Sequence, residues 1–297
     1  MKGNLREAGL YASAMAFALA LLSSALWGSA DFQAGRLSKK YQAFAVLGVT
    51  QLIGLVFGIF LIFATGERGA VAFGQEGFFS GFFWAGVGAG IFGYIGLISL
   101  YIGLSTGKMG VVSPISSLSA VIPLAFALIG GEQLSRGQWL GVVVALFGAF
   151  CASGPEVSEG ISLKPLLLAF AAAFGFGTCL TFMSIGSESS ALMTMVTMRA
   201  TTAIFTIGMA IKFRTTGGFK KSDAPSLIFI GVADFLANFT LGLATQEGMV
   251  SLVMVLGALY PVFTILLAFK LLHERLHKVQ YVGVFFAVAG VAILSAF

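Results

Sequence analysis

The sequence predicts an all-α fold, a polytopic membrane helical bundle of ten transmembrane helices built as two inverted five-helix repeats. Composition, the spacing of charge-free runs and an internal repeat carry that prediction. Of 297 residues, 58% are hydrophobic and 10% charged, against roughly 25% charged in an average soluble domain. The mean hydropathy is +0.98. Charge-poor runs recur at the length a helix needs to cross a bilayer, about 20 residues at 1.5 Å each. They are continuously apolar, without the alternation that barrel strands need.

The first run, Ala8–Ala30, follows Lys2 and Arg6 and has the outline of a secretory signal. Trp27-Gly28 occupies the place of a cleavage site, so the run is read as a retained span. The second and third, Tyr41–Gly66 and Gly77–Gly107, carry glycines four apart, Gly54/Gly58, Gly86/Gly90 and Gly103/Gly107, which let helices approach closely. The fourth, Met109–Gly131, contains Pro114 and Pro123. The fifth, Gly137–Pro155, follows a capping-box pattern, Ser135 with Gln138. The sixth and seventh are Pro165–Ser187 and Ser189–Lys212, the latter interrupted only by Arg199. The eighth, Ala224–Gln246, is interrupted only by Asp234; the ninth, Gly248–Phe269, contains Pro261; the tenth is Val279–Phe297. Short connections leave no room for a soluble catalytic module.

A shift of 142 residues lays Glu132–Ser153 over Glu274–Ser295 with eight of 22 positions identical. Upstream, a shift of 138 matches Gly110, Val112, Ser113 and Pro123 with Gly248, Val250, Ser251 and Pro261. The chain therefore divides into residues 1–157 and 158–297. Five spans per half is an odd number, which inverts the second half relative to the first. Connections after odd-numbered spans hold twelve Lys/Arg and the opposite side four, so the positive-inside rule places the odd connections in the cytoplasm and both termini outside.

His273-Glu274-Arg275-Leu276-His277 has the spacing of a zinc metalloprotease helix. The repeat argues against that alternative. Glu274 recurs as Glu132, but His273 and His277 correspond to Gly131 and Ser135, and no third histidine exists where a catalytic zinc needs a third protein ligand. No metal is expected. The repeated glutamates are instead expected to pair with cations or cap a helix. Cys151 and Cys179, both inside spans, suggest neither a disulfide framework nor a metal cluster, and no basic stretch interleaved with aromatics suggests a nucleic-acid partner.

The doubled pattern of Pro, then Glu-x-Leu-x-(Arg/Lys)-x-Gln-aromatic-x-Gly with a second Gly seven residues on, joins "LWGSADF" at 26–32 and Arg199 in the seventh span. It resembles the EamA-type branch of the drug/metabolite transporter superfamily over essentially the whole chain. The resemblance implies a carrier, not an enzyme, of an inner membrane, working without a cofactor, as a monomer or weak homo-oligomer. Its substrate would be a small metabolite, with export of amino acids, aromatic ones included, the favoured reading and other metabolites or drugs the alternative. Small multidrug members carry an acid midway along the first span; here Asp31 comes only at the far end.

In such a carrier the substrate sits near the midplane between the halves. Seven residues are candidate substrate contacts: Trp27, Tyr94, Tyr101, Ser116, Asn238, Gln246 and Tyr260. Pro114, Pro123 and Pro261 each remove a backbone hydrogen bond inside a span and mark the fourth and ninth spans as gating breaks. Ser113, Ser116, Ser117 and Ala120 share a face suited to close packing or to substrate. An aspartate within a span costs roughly 2.5–3.5 kcal/mol on insertion scales. Arg199 is the natural partner of Asp234, as a structural ion pair or as part of a substrate or proton site.

Overall fold

A computed structural model describes residues 2–67, 72–73, 81–105, 109–155, 163–214, 217–273 and 275–297. It is an all-α polytopic membrane bundle. Eight helices among the described residues are long and apolar enough to cross a bilayer, and Arg136–Ala152 is a shorter apolar one. Two of the eight each comprise two consecutive helices, and in chain order the helices are α1 (Lys2–Ser38), α2 (Ala43–Thr65), α3 (Phe82–Ser105), α4 (Met109–Ser117), α5 (Val121–Ile129) and α6 (Arg136–Ala152). There follow α7 (Leu163–Phe213), α8 (Ala224–Glu247), α9 (Val250–Gly257), α10 (Tyr260–Leu272) and α11 (Lys278–Ala296).

Three departures from the expected runs have identifiable causes. The fourth run is divided: α4 contains Pro114 and passes through a 3-10 turn, Leu118–Ala120, into α5, which carries Pro123. The ninth is divided at Ala258-Leu259, with Pro261 in the first turn of α10. Proline tolerates a first turn because the missing N-H would be unpaired there in any case. The carbonyls freed at the end of α9 are not left bare, since the Ser24 hydroxyl donates to Leu256 O at 2.5 Å and Gly257 O at 2.9 Å. The third departure is α7, in which the sixth and seventh runs form one 51-residue element that leaves helical geometry at Ser190. Ser190 is extended, accepts from Met193 N at 3.0 Å and donates to the Glu67 carboxylate. It thus acts as the N-cap of the second limb.

The predicted capping box is present: Gln138 N donates to Ser135 Oγ at 3.2 Å and Ser135 N to Gln138 Oε1 at 2.9 Å. Its repeat uses His277 as N-cap of α11, with His277 N donating to Gln280 Oε1 at 2.9 Å. His273 closes α10 in the left-handed conformation, φ 55°, where its counterpart Gly131 has φ 105°. The two histidines therefore end one helix and begin the next, and cannot present two imidazoles on one helical face. No group of three or more potential metal ligands occurs among the described residues. Glu274 lies outside the described residues.

The two helices that carry the repeat motif pack on each other. Gly141, Gly148, Gly283 and Gly290 face Leu294, Ala287, Ala152 and Ala145 respectively. Numbers rise along α6 as they fall along α11, so the pair is antiparallel.

Candidate functional site

Two sets of contacts define opposite ends of the bundle. At one, the Tyr41 hydroxyl donates to Asp223 Oδ2 at 2.6 Å, joining the α1–α2 corner to the start of α8. At the other, Glu132 accepts from Val250 N at 2.8 Å, Ser251 N at 3.1 Å and Ser251 Oγ at 2.5 Å. Glu132 thereby caps the N-terminus of α9, satisfying two orphan donors where the helix dipole favours an anion. Between these ends α8 runs for 24 residues, about 36 Å.

Towards the Glu132 end the interior is filled. Leu252 to Leu256 pack at 0 to 3% exposure with Ala16, Ala20, Leu241, Ala244 and Met195. Towards the Tyr41 end it is hollow, with a cavity of about 250 Å³. Pockets for drug-sized ligands run from about 300 to 1,000 Å³, so this one suits a small metabolite. Its walls come from both halves of the chain: Trp27, Asp31, Gln51 and Gly93 from the first, Arg199, Asp234, Asn238 and Tyr260 from the second. Apolar side chains, among them Val46, Leu97, Phe176 and Ile230, complete it.

The polar centre is Asp234. Arg199 Nη2 reaches its Oδ2 at 2.7 Å, and Arg199 Nη1 donates to Gln51 Oε1. Gln51 Nε2 meets the same Oδ2 at 3.4 Å, while Oδ1 accepts from Trp27 Nε1 at 3.1 Å and Asn238 Nδ2 at 3.4 Å. Thr202 Oγ1 lies 3.2 Å from Gln51 Oε1. The site thus holds the ion pair named among the sequence readings, supported by a glutamine that sequence reasoning missed.

Trp27 and Tyr260 meet edge to face, centroids 6.2 Å apart, and with Asn238 they line the cavity. Three other candidates lie elsewhere. Tyr94 is buried and stacks on Phe205 at 5.0 Å, in the contact of α3 with the second limb of α7. The Ser116 hydroxyl donates to Val112 O at 2.6 Å within its own helix. Gln246, exposed near the end of α8, donates to Ser187 O. The Tyr101 side chain lies outside the described residues. Asp31, at the far end of the first span in the sequence, stands on α1 in the cavity wall.

A family model, the EamA-like transporter family, matches the chain twice, over residues 14–154 and 163–296. A solved structure titled only "Crystal structure of protein" is similar at TM-score 0.74, covering 94% of this chain and 95% of that one at 18% identity. That similarity shows a shared fold. No curated protein matches the chain. The double match spans nearly its whole length and both walls of the cavity, and the chain belongs to the EamA-like transporter family of the drug/metabolite transporter superfamily: a multi-pass membrane carrier of small metabolites or drugs, not an enzyme.

Proposed function

We propose that the chain exports amino acids, aromatic ones included, across a cell inner membrane by alternating access. The cavity walled by both halves, and filled in at one end only, carries this reading, because a carrier needs a site that one rearrangement can expose to either side. Trp27, Asn238 and Tyr260 would contact the substrate, with aromatic faces suited to an aromatic side chain.

The halves are residues 1–157 and 158–297, of opposite orientation, and the spans number ten. The 51 residues of α7 would extend about 77 Å, more than twice a hydrocarbon core of about 30 Å, which supports counting its limbs as two spans. The antiparallel packing of α6 on α11 supports the inversion. The divided fourth and ninth spans, with Pro114, Pro123 and Pro261, are the joints about which the halves rock. With cations concentrated at the cavity's end, that end faces the cytoplasm and both termini face outward. A C-terminal reporter that fluoresces only in the cytoplasm stays dark; bright cells would reverse the orientation.

Counterflow tests the substrate. Proteoliposomes loaded with unlabelled amino acids are expected to accumulate labelled phenylalanine saturably, with or without an imposed proton gradient. Folded protein that accumulates none of phenylalanine, threonine or alanine would remove amino acids as the substrate and leave the carrier in place.

A further inference from the structure

We propose that this cavity recognises its substrate by a protonated amino group docked on Asp31, and that a substrate carboxylate contributes nothing to binding. The inference rests on the carrier reading above and narrows it. Amines and carboxyl-blocked derivatives then bind better than free amino acids.

Asp31, Asp234 and Arg199 are the charged residues lining the cavity. Asp234 is already occupied, its two oxygens accepting from Arg199, Gln51, Trp27 and Asn238. Arg199 is charge-paired: its Nη2 serves Asp234 and its Nη1 Gln51, so its positive charge is already balanced. Its Nε makes no hydrogen bond, but it is buried out of contact with water and lies against α2 near Gly54, not towards the hollow. Among the described residues lining the cavity, no cation is therefore left without a charge partner for a substrate carboxylate. Burying a carboxylate without a partner is costly.

Asp31 is the opposite case. Its side chain is exposed at the cavity wall and makes no hydrogen bond or ion pair with any described residue. With two carboxylates facing one guanidinium, the cavity carries a surplus negative charge, which a monovalent cation neutralises. Trp27 and Asp31 are four residues apart on α1, hence on one face one turn apart. An ammonium on Asp31 leaves the body of the ligand beside Trp27 and the apolar side chains Leu97, Phe176 and Ile230. Geometry thus selects an amine with an apolar or aromatic body.

Binding to the full-length protein purified in detergent is measured for four probes: phenylalanine, phenylalaninamide, phenethylamine and N-acetylphenylalanine. Phenethylamine and the amide are expected to bind more tightly than phenylalanine, and N-acetylphenylalanine not at all. Asp31→Asn weakens amine binding about tenfold or more, the size of a lost charge-assisted hydrogen bond, while Asp31→Glu retains most of it. N-acetylphenylalanine binding as tightly as phenethylamine to the unmodified protein overturns the proposal, as does unchanged amine affinity in a folded Asp31→Asn protein. Phenylalanine counterflow on the same preparation separates the two readings. Counterflow without amine selectivity sinks the proposal alone; amine binding without counterflow sinks amino-acid export alone; neither binding nor counterflow sinks both.

Discussion

Asp234→Ala is expected to destabilise the protein by about 3–5 kcal/mol, the loss typical when one partner of a buried ion pair is removed. The two partners are not equivalent. Arg199 has a side-chain exposure of 6% and Asp234 of 25%. Removing the aspartate strands a guanidinium among α2, α7 and α8, with Gln51 as its remaining acceptor among the described residues. Removing the arginine instead leaves a carboxylate that faces the cavity, is reached by water and keeps donors from Trp27, Gln51 and Asn238. Arg199→Ala should therefore cost less than Asp234→Ala. Arg199→Lys should also fail to restore stability, because a single ammonium cannot bridge Asp234 and Gln51 as the planar fork does.

The double variant Arg199→Met/Asp234→Asn is expected to recover part of the loss, since it removes both charges and keeps both volumes. Thermal unfolding of purified protein, followed by the loss of monodisperse material, ranks the four variants. Such unfolding is commonly irreversible, so the comparison is of melting temperatures at one scan rate. An Asp234→Ala protein that melts with the unmodified one would show that the pair does not hold the bundle together.

How far the sequence foretold this site differs residue by residue. Asp234 and Arg199 stood out because a charge in an apolar run is costly and needs a partner, and theirs is each other. Gln51 gave no such signal, being neutral in a run read for its hydropathy and its glycines. Asp31 comes in the sequence only at the far end of the first span, after the apolar run ends at Ala30. The helix continues to Ser38, and on it Asp31 and Ala34 line the hollow. Helical spacing put Tyr94 and Tyr101 on one face but could not say which face looks inward; Tyr94 looks at Phe205. The serine stripe on α4 illustrates another limit. Ser116 and Ser117 donate to carbonyls of their own helix, Val112 O and Pro114 O, a local bond that pattern alone cannot tell from one kept for a ligand. The repeat was the most informative feature, because equivalent positions do equivalent work: Gly131 and His273 close helices, and Ser135 and His277 open them.

Gly148→Leu is expected to be at least as damaging as the loss of a charge partner, for a steric reason. On α6 a Cβ at position 148 would overlap the backbone of Ala287 in α11, and one at Gly283 would overlap Ala152 in return. Neither obstacle is a flexible side chain that could turn aside. A leucine there must push two helices apart along the seam where the repeat is best preserved, and overpacking costs typically 1–3 kcal/mol even where side chains can adjust. A loss of about 3 kcal/mol or more is expected for Gly148→Leu, with Gly148→Ala intermediate. Gly290→Leu should behave alike, since a Cβ there would come within 2.6 Å of Ala145 N. Val143→Leu, on the same helix but 59% exposed, is the control and should be nearly neutral. In a bilayer, helix association relies on close packing and not on hydrophobic burial, so separating α6 from α11 removes their main attraction. Melting temperatures of Gly148→Leu and Val143→Leu that coincide would mean that the seam is slack and that other contacts join the halves.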